Sequence, residues 1–281
     1  MNHYITLEEA KLTKKHYENF PVATFLFPKK HRDAATILYL FARSADDIAD
    51  EGNITKKQRL ISLNNYQKNI NKIKNNDTDI PSLFKDIDKI INNYSIPVKL
   101  FEKLLKAFKQ DVVKNKYKNF NELIDYCNNA ACPAGQMILG LFQSNSKENI
   151  TYSNYICQAL ALIGITQDIH EDYLKGRIYI PFEEMKKFNL KESDIKINNF
   201  TSDWELFINF WLSRIELILE RGIPLETKTR GRLRLQVRIM IAAASLLLKR
   251  MKKEKFNSFS SASKLTRIDW AILLCRCILI R

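Results

Sequence analysis

Between His31 and Asp50 the chain reads "HRDAATILYLFARSADDIAD", and Ala34, Ile37, Leu38, Phe41, Ala45 and Ile48 recur at three- and four-residue steps. That spacing returns each side chain to one face of a 3.6-residue turn, so it predicts an amphipathic helix that stops at Gly52. A second long helix is predicted in "YSNYICQALALIGITQDIHEDYLKG", apolar nearly all round through Leu162 and Ile165 and therefore central in a bundle. It stops at Gly176, and "RIYI" ahead of Pro181 reads as a short extended segment. Further helices are predicted over 97–112, 120–142, 203–221 and 232–252, with the Asn-rich stretches near 64–78 and 191–203 as loops. No repeat or linker interrupts this pattern. The expectation is all-α: one helical-bundle domain spanning 1–281.

Composition agrees, since 7 Gly and 7 Pro in 281 residues leave few turns and 46% hydrophobic residues fill a substantial core. The net charge of +14 suits nucleic acid, anionic lipid or a polyphosphate equally. Most lysines, however, sit in Lys/Asn mixtures such as "YQKNINKIKNNDTD", which read as solvated helix faces, so no nucleic-acid partner is expected. Five cysteines, without a CxxC pair, fit a reducing compartment, and a cytoplasmic protein is expected. The N-terminal residues lack the apolar core of a signal peptide, and "WAILLCRCILI" is too short to span a bilayer and contains Arg276. That amphipathic tail is expected to dock on the bundle, with peripheral contact at the inner membrane as the other outcome.

Two acidic pairs stand against this basic background. Asp46 and Asp50 are four residues apart, as are Asp168 and Asp172, so each pair shares a helix face, one turn apart. Like charges at that spacing repel, and both pairs lie towards a helix C-terminus, where the macrodipole favours cations. Two such pairs, each with Arg or Lys close by (Arg43; Lys175 and Arg177), call for a positive ligand. Carboxylates suit a hard divalent ion, and Mg²⁺ commonly completes its shell with water and substrate phosphate. A diphosphate head beside an apolar, Phe-rich bundle describes an isoprenoid diphosphate site, where a carbocation is shielded from premature water. His170 has no second His at zincin spacing, so zinc chemistry is not expected.

Five stretches carry a resemblance: "ENFPVATFLFP", "LYLFARSADDIADEGN", "YCNNAACPAGQMILGLF", "QDIHEDYLKGRIYIP" and "KLTRIDW". Together they are specific, and over nearly its whole length the chain resembles the squalene/phytoene synthase family, most of all its bacterial hopanoid-pathway branch. The resemblance implies the isoprenoid-synthase fold, all-α with a central cavity, and Mg²⁺. It further implies that Asp46, Asp50, Asp168 and Asp172 are metal ligands. Tyr39, Arg43, Asp47, Arg177 and Tyr179 match positions at the diphosphate end, and His16 matches a polar position near the first motif. The reaction implied is conversion of presqualene diphosphate to hydroxysqualene, with a paralogous synthase as a partner; the absence of a Gly-rich dinucleotide fingerprint agrees with capture by water in place of hydride.

The sequence also departs from the family pattern. Ala161 and Gly164 stand where Gln and Asn are usual, Asn129 follows the "YC" motif where Arg is general, and Gln136 replaces a basic residue. These changes leave open a presqualene diphosphate synthase, a squalene synthase, or a non-catalytic scaffold on the same fold. Retention of all four spaced aspartates favours an enzyme.

Overall fold

The computed structural model describes residues 27–197, 201–253 and 264–279. Among these residues the chain forms helices and no strand, with one isolated parallel bridge between Lys116 and Ile178. In chain order the helices are α1 Lys29–Asp50, α2 Lys56–Lys74, α3 Ser82–Tyr94, α4 Lys99–Val113, α5 Phe120–Ala130, α6 Cys132–Leu141 and α7 Lys147–Gln167. They continue as α8 Ile169–Leu174, α9 Phe182–Lys187, α10 Glu192–Ile197, α11 Ser202–Gly222, α12 Leu225–Lys228, α13 Gly231–Lys253 and α14 Arg267–Leu279.

The amphipathic pattern of α1 buries Ala34, Leu38, Phe41, Ala45 and Ala49 against α4, where Phe101 and Leu105 are fully enclosed. A second cluster forms where α7 packs along α11, around Leu162, Phe207, Trp211 and Ile215. Ile138 and Phe142, at the end of α6, pack against both clusters. Inside the second, the Trp211 indole donates to Thr166 Oγ1 at 2.9 Å, so a buried polar handle is satisfied between α7 and α11.

The two helices approach closely at Gly222, where an added Cβ would lie 2.6 Å from Ile156 Cγ1 and 3.0 Å from both Ile156 N and Tyr152 O. Two of these are backbone atoms and cannot swing aside. Gly222→Ala is therefore expected to cost about 1–3 kcal/mol of stability through overpacking. Thermal unfolding checks this, and a variant as stable as the parent would mean the helices can part freely.

Several elements differ from the pattern-based expectation. Residues 64–74 belong to α2, not to a loop: Thr55 and Gln58 close a capping box, and Leu63, Ile70 and Ile73 form a buried stripe among the asparagines. Helical residues also occupy 192–197 within the second expected loop, while 198–200 lie outside the described residues. The predicted 120–142 helix is broken at Ala131, because Pro133 near the start of α6 cannot donate to the preceding turn. The central helix is likewise not continuous to Gly176. Its backbone leaves helical geometry at Asp168 (φ −99°, ψ 11°) and restarts as α8.

The tail docks as expected. α14 buries Leu273 and Cys277, Arg250 grips the Asp269 carboxylate at 2.9 and 2.5 Å, and Arg238 donates to the Cys277 carbonyl at 3.1 Å. Among the described residues no helix is long and apolar enough to cross a membrane.

Candidate functional site

The C-terminal end of α1 is prepared for charge by a residue from the next helix. Arg59 on α2 donates to the carbonyls of Ile48, Glu51 and Gly52, each at 2.8 Å, and so caps a helix end that would otherwise leave acceptors open. The neighbouring Arg43 pairs with Asp47 at 2.6 Å, Glu51 at 2.7 Å and Asp46 at 3.6 Å. Tyr39 lies one turn before Arg43 on α1.

The second acidic pair is brought to α1 by the turn after α8. Gly176 adopts φ +78°, a left-handed conformation that glycine takes without strain. Arg177 N then bonds back to the Asp172 carbonyl at 2.8 Å, and Ile178 N pairs with the Asn115 carbonyl at 2.8 Å. Locked on both sides, Arg177 grips Asp50 with two hydrogen bonds, 2.7 Å to Oδ1 and 2.9 Å to Oδ2, and reaches Asp172 Oδ1 at 3.3 Å. Lys175 stands 3.7 Å from Asp50 Oδ2. One aspartate of each predicted pair, Asp50 and Asp172, is therefore joined through a single guanidinium. Asp168 keeps its place one turn from Asp172, with Asp172 N bonded to the Asp168 carbonyl at 2.8 Å.

Charge here is not balanced. Burial alone would raise the Asp50 carboxyl, but the Arg177 hydrogen bonds hold it below its ordinary value. Burial and the adjacent Asp50 push Asp46 up to about 6. Burial likewise pushes Asp172 up to about 6 despite Arg177, and burial with Glu171 raises Asp168. Carboxyls that hold protons so readily are under-compensated, and a hard cation would relieve them. In the present arrangement no three acidic, His or Cys side chains among the described residues stand close enough to hold a metal, and Arg177 contacts the two carboxylates that face across the gap. The donor set suits Mg²⁺ by its chemistry, while its cationic partner in this structure is Arg177.

Tyr179 joins a different group from the one expected. Its hydroxyl donates to Asp111 Oδ1 at 2.9 Å while Tyr126 donates to Oδ2 at 2.9 Å, and the rings of Tyr117, Tyr126 and Tyr179 cluster with centroids 5.4–5.7 Å apart. Asp111, Tyr117 and Tyr126 were not read as site residues. One signal existed: in α4 the core stripe of Leu104, Phe108 and Val112 is interrupted by an acid at 111. His16 lies outside the described residues.

The departures from the family pattern take definite places. At Gly164, one turn before Asp168, an added Cβ would meet nothing within 4 Å, so the usual polar side chain is replaced by open space. Ala161 packs against the second core cluster. Asn129 donates to its own helix at the Asp125 carbonyl, 2.8 Å away, and Gln136 donates to Asn154 at 2.8 Å. His170 Nδ1 is 3.3 Å from the Ile195 carbonyl.

The squalene/phytoene synthase family model matches residues 13–270. Hydroxysqualene synthase of Zymomonas mobilis is 33% identical over 179 residues, which cover 63% of this chain and 59% of that protein. Hydroxysqualene synthase of Sinorhizobium fredii is 26% identical over 237 residues, 84% of this chain and 80% of that protein. Among solved structures, squalene synthase HpnC of Alicyclobacillus acidocaldarius superposes with a TM-score of 0.81 at 27% identity, covering 87% of this chain and 92% of that one.

Proposed function

Because the chain belongs to the squalene/phytoene synthase family, whose members are isoprenoid synthases, we propose that it converts presqualene diphosphate to hydroxysqualene with release of diphosphate. The observation that carries this reading is the meeting of Asp50 with Asp172 across Arg177, with Asp46 one turn before Asp50, an acidic clamp whose charge its own arginines do not cancel. Asp46, Asp50, Asp168 and Asp172 would hold Mg²⁺, which supplies Lewis-acid neutralisation of the leaving diphosphate. Arg43, Lys175 and Arg177 donate to phosphate oxygens and fix the head group at the rim. The carbon–oxygen bond to the diphosphate breaks with its electron pair leaving on the phosphate. The rearranged cation is then captured by water, which forms a new carbon–oxygen bond and gives up one proton. Aromatic faces such as that of Tyr179, 6.0 Å from the Arg177 guanidinium, border this end of the bundle.

Purified protein incubated with presqualene diphosphate and Mg²⁺, without NADPH, is expected to release diphosphate and an alcohol whose oxygen derives from ¹⁸O-labelled water. No turnover, or turnover only with NADPH, rejects the reading. Formation of presqualene diphosphate from farnesyl diphosphate alone would instead place the chain one step earlier. A non-catalytic scaffold predicts no Mg²⁺-dependent diphosphate binding by calorimetry.

A further inference from the structure

The polarity of α14 is the reverse of an ordinary surface helix. Its one acidic residue, Asp269, is buried and gripped by Arg250, and Leu273 and Cys277 complete the face that packs on α13. The opposite face should then be polar, because a helix laid on a bundle turns its charges to water. Instead Ile268, Ala271, Ile272, Cys275, Ile278 and Leu279 point outward, with Ile268 71% and Leu279 80% exposed. At about 100° per residue these six fall within a sector of about 120° that holds no charge. The exposed Arg267 and Arg276 lie just beyond its two edges.

Single apolar side chains at a surface are ordinary, but an uncharged stripe along a helix about 20 Å long is an interaction face. Charge chooses its occupant. The exposed Lys249 and Lys253 near the end of α13, and Lys264 just ahead of α14, add to the two arginines in a chain of net charge +14. A second copy would set these cations against one another. An anionic leaflet neutralises them, while the boundary between its head groups and acyl chains takes up the isoleucines. We propose that α14 docks on an anionic lipid bilayer, its outward face lying in the interface and Arg267 and Arg276 meeting phosphate head groups.

The helix begins beside the acidic clamp. Arg250 donates to the Lys264 carbonyl at 3.5 Å, and Lys264 is near enough to Asp168 to be felt there: burial and Glu171 raise that carboxyl, and the lysine's charge opposes them. A docked α14 therefore keeps one end at the clamp. On the reading above, that is where a substrate with long hydrocarbon chains is taken up. The docking itself stands on the outward face and its cations and does not depend on that reading.

The test is sedimentation of the full chain with vesicles. The parent is expected to pellet with mixed phosphatidylcholine–phosphatidylglycerol vesicles, far less with pure phosphatidylcholine, and to be released by added salt. Ile272→Asp combined with Leu279→Asp should weaken binding by about tenfold or more, because the outward face then has charges to desolvate. Both positions are exposed, so the unfolding midpoint should match that of the parent. Ile61→Asp, at an exposed position on α2, should bind as the parent does. Arg267→Glu combined with Arg276→Glu should abolish the preference for the anionic vesicles. Failure of the parent to bind anionic vesicles, equal binding to neutral ones, or equal binding by the Ile272/Leu279 variant overturns the proposal. So does a parent that is dimeric by light scattering and becomes monomeric in that variant, which would assign the face to a second copy. No turnover enters the readout, so failure of the docking and failure of the hydroxysqualene reading are told apart.

Discussion

Asp50→Asn is expected to lower diphosphate release by about a thousandfold, which corresponds to roughly 4 kcal/mol of lost transition-state stabilisation. Asp50 is the carboxylate through which the two halves of the clamp are joined, with bonds of 2.7 and 2.9 Å to Arg177 and a further contact to Lys175 at 3.7 Å. An amide of the same shape keeps one acceptor but brings no charge to a divalent ion. Asp47→Asn should cost far less, about tenfold, because Asp47 faces Arg43 at 2.6 Å. Steady-state release of diphosphate distinguishes the two, and equal losses would show that the spacing of the acids does not set their roles. The same clamp predicts a pH dependence. Asp46 and Asp172 hold protons up to about 6, so Mg²⁺ binding as proposed would have to displace them below that value. Calorimetric Mg²⁺ affinity should rise from pH 5 to pH 7 in the parent, with proton release at the lower end. An affinity flat across that window would mean that these carboxyls are not the ligands.

Much of the clamp was legible because its information is local. Four-residue spacing puts Asp46 and Asp50 on one face whatever the rest of the chain does, and the Asp168–Asp172 turn survives even though the helix breaks at Asp168. What spacing cannot carry is contact between distant segments. Arg177 and Asp50 are 127 residues apart, and their bond depends on a left-handed Gly176 and on pairing of Ile178 with Asn115. Arg59 is invisible for the same reason, as its three carbonyl partners lie at the end of another helix. Asp111 has no partner acid at helical spacing to mark it, and its two phenol donors come from distant segments of the chain. The asparagines of α2 misled in the opposite way, since turn-forming residues on the solvent face say nothing against a buried stripe behind them. Asn128, too, serves packing, accepting from Gln158 at 2.8 Å between α5 and α7.

Replacing Arg177 by alanine should have the largest combined effect on stability and activity. Its side chain is 12% exposed and that of Asp50 is 23%, so the pair is not a surface contact of negligible worth. Removing the guanidinium leaves Asp50 and Asp172 partly buried beside Asp46 with no bridge, at an expected cost of about 2–3 kcal/mol at pH 7. The sign with pH follows from Asp50, whose folded value is held low by Arg177: the stability it brings is present above its unfolded value near 4 and lost as pH falls. The deficit of Arg177→Ala should therefore be greatest at neutral pH and close as acid protonates the cluster. Diphosphate release should fall by about a hundredfold or more if, as proposed, the same group donates to the head group. Mg²⁺ supplies the discriminating arm. If Arg177 holds the place of a cation between the two aspartate pairs, adding Mg²⁺ must raise the unfolding midpoint of Arg177→Ala by more than that of the parent, since the variant has the larger uncancelled charge. A deficit that persists into acid, or that Mg²⁺ leaves untouched, would mean that Arg177 acts by packing, and the clamp would have to be redrawn without it.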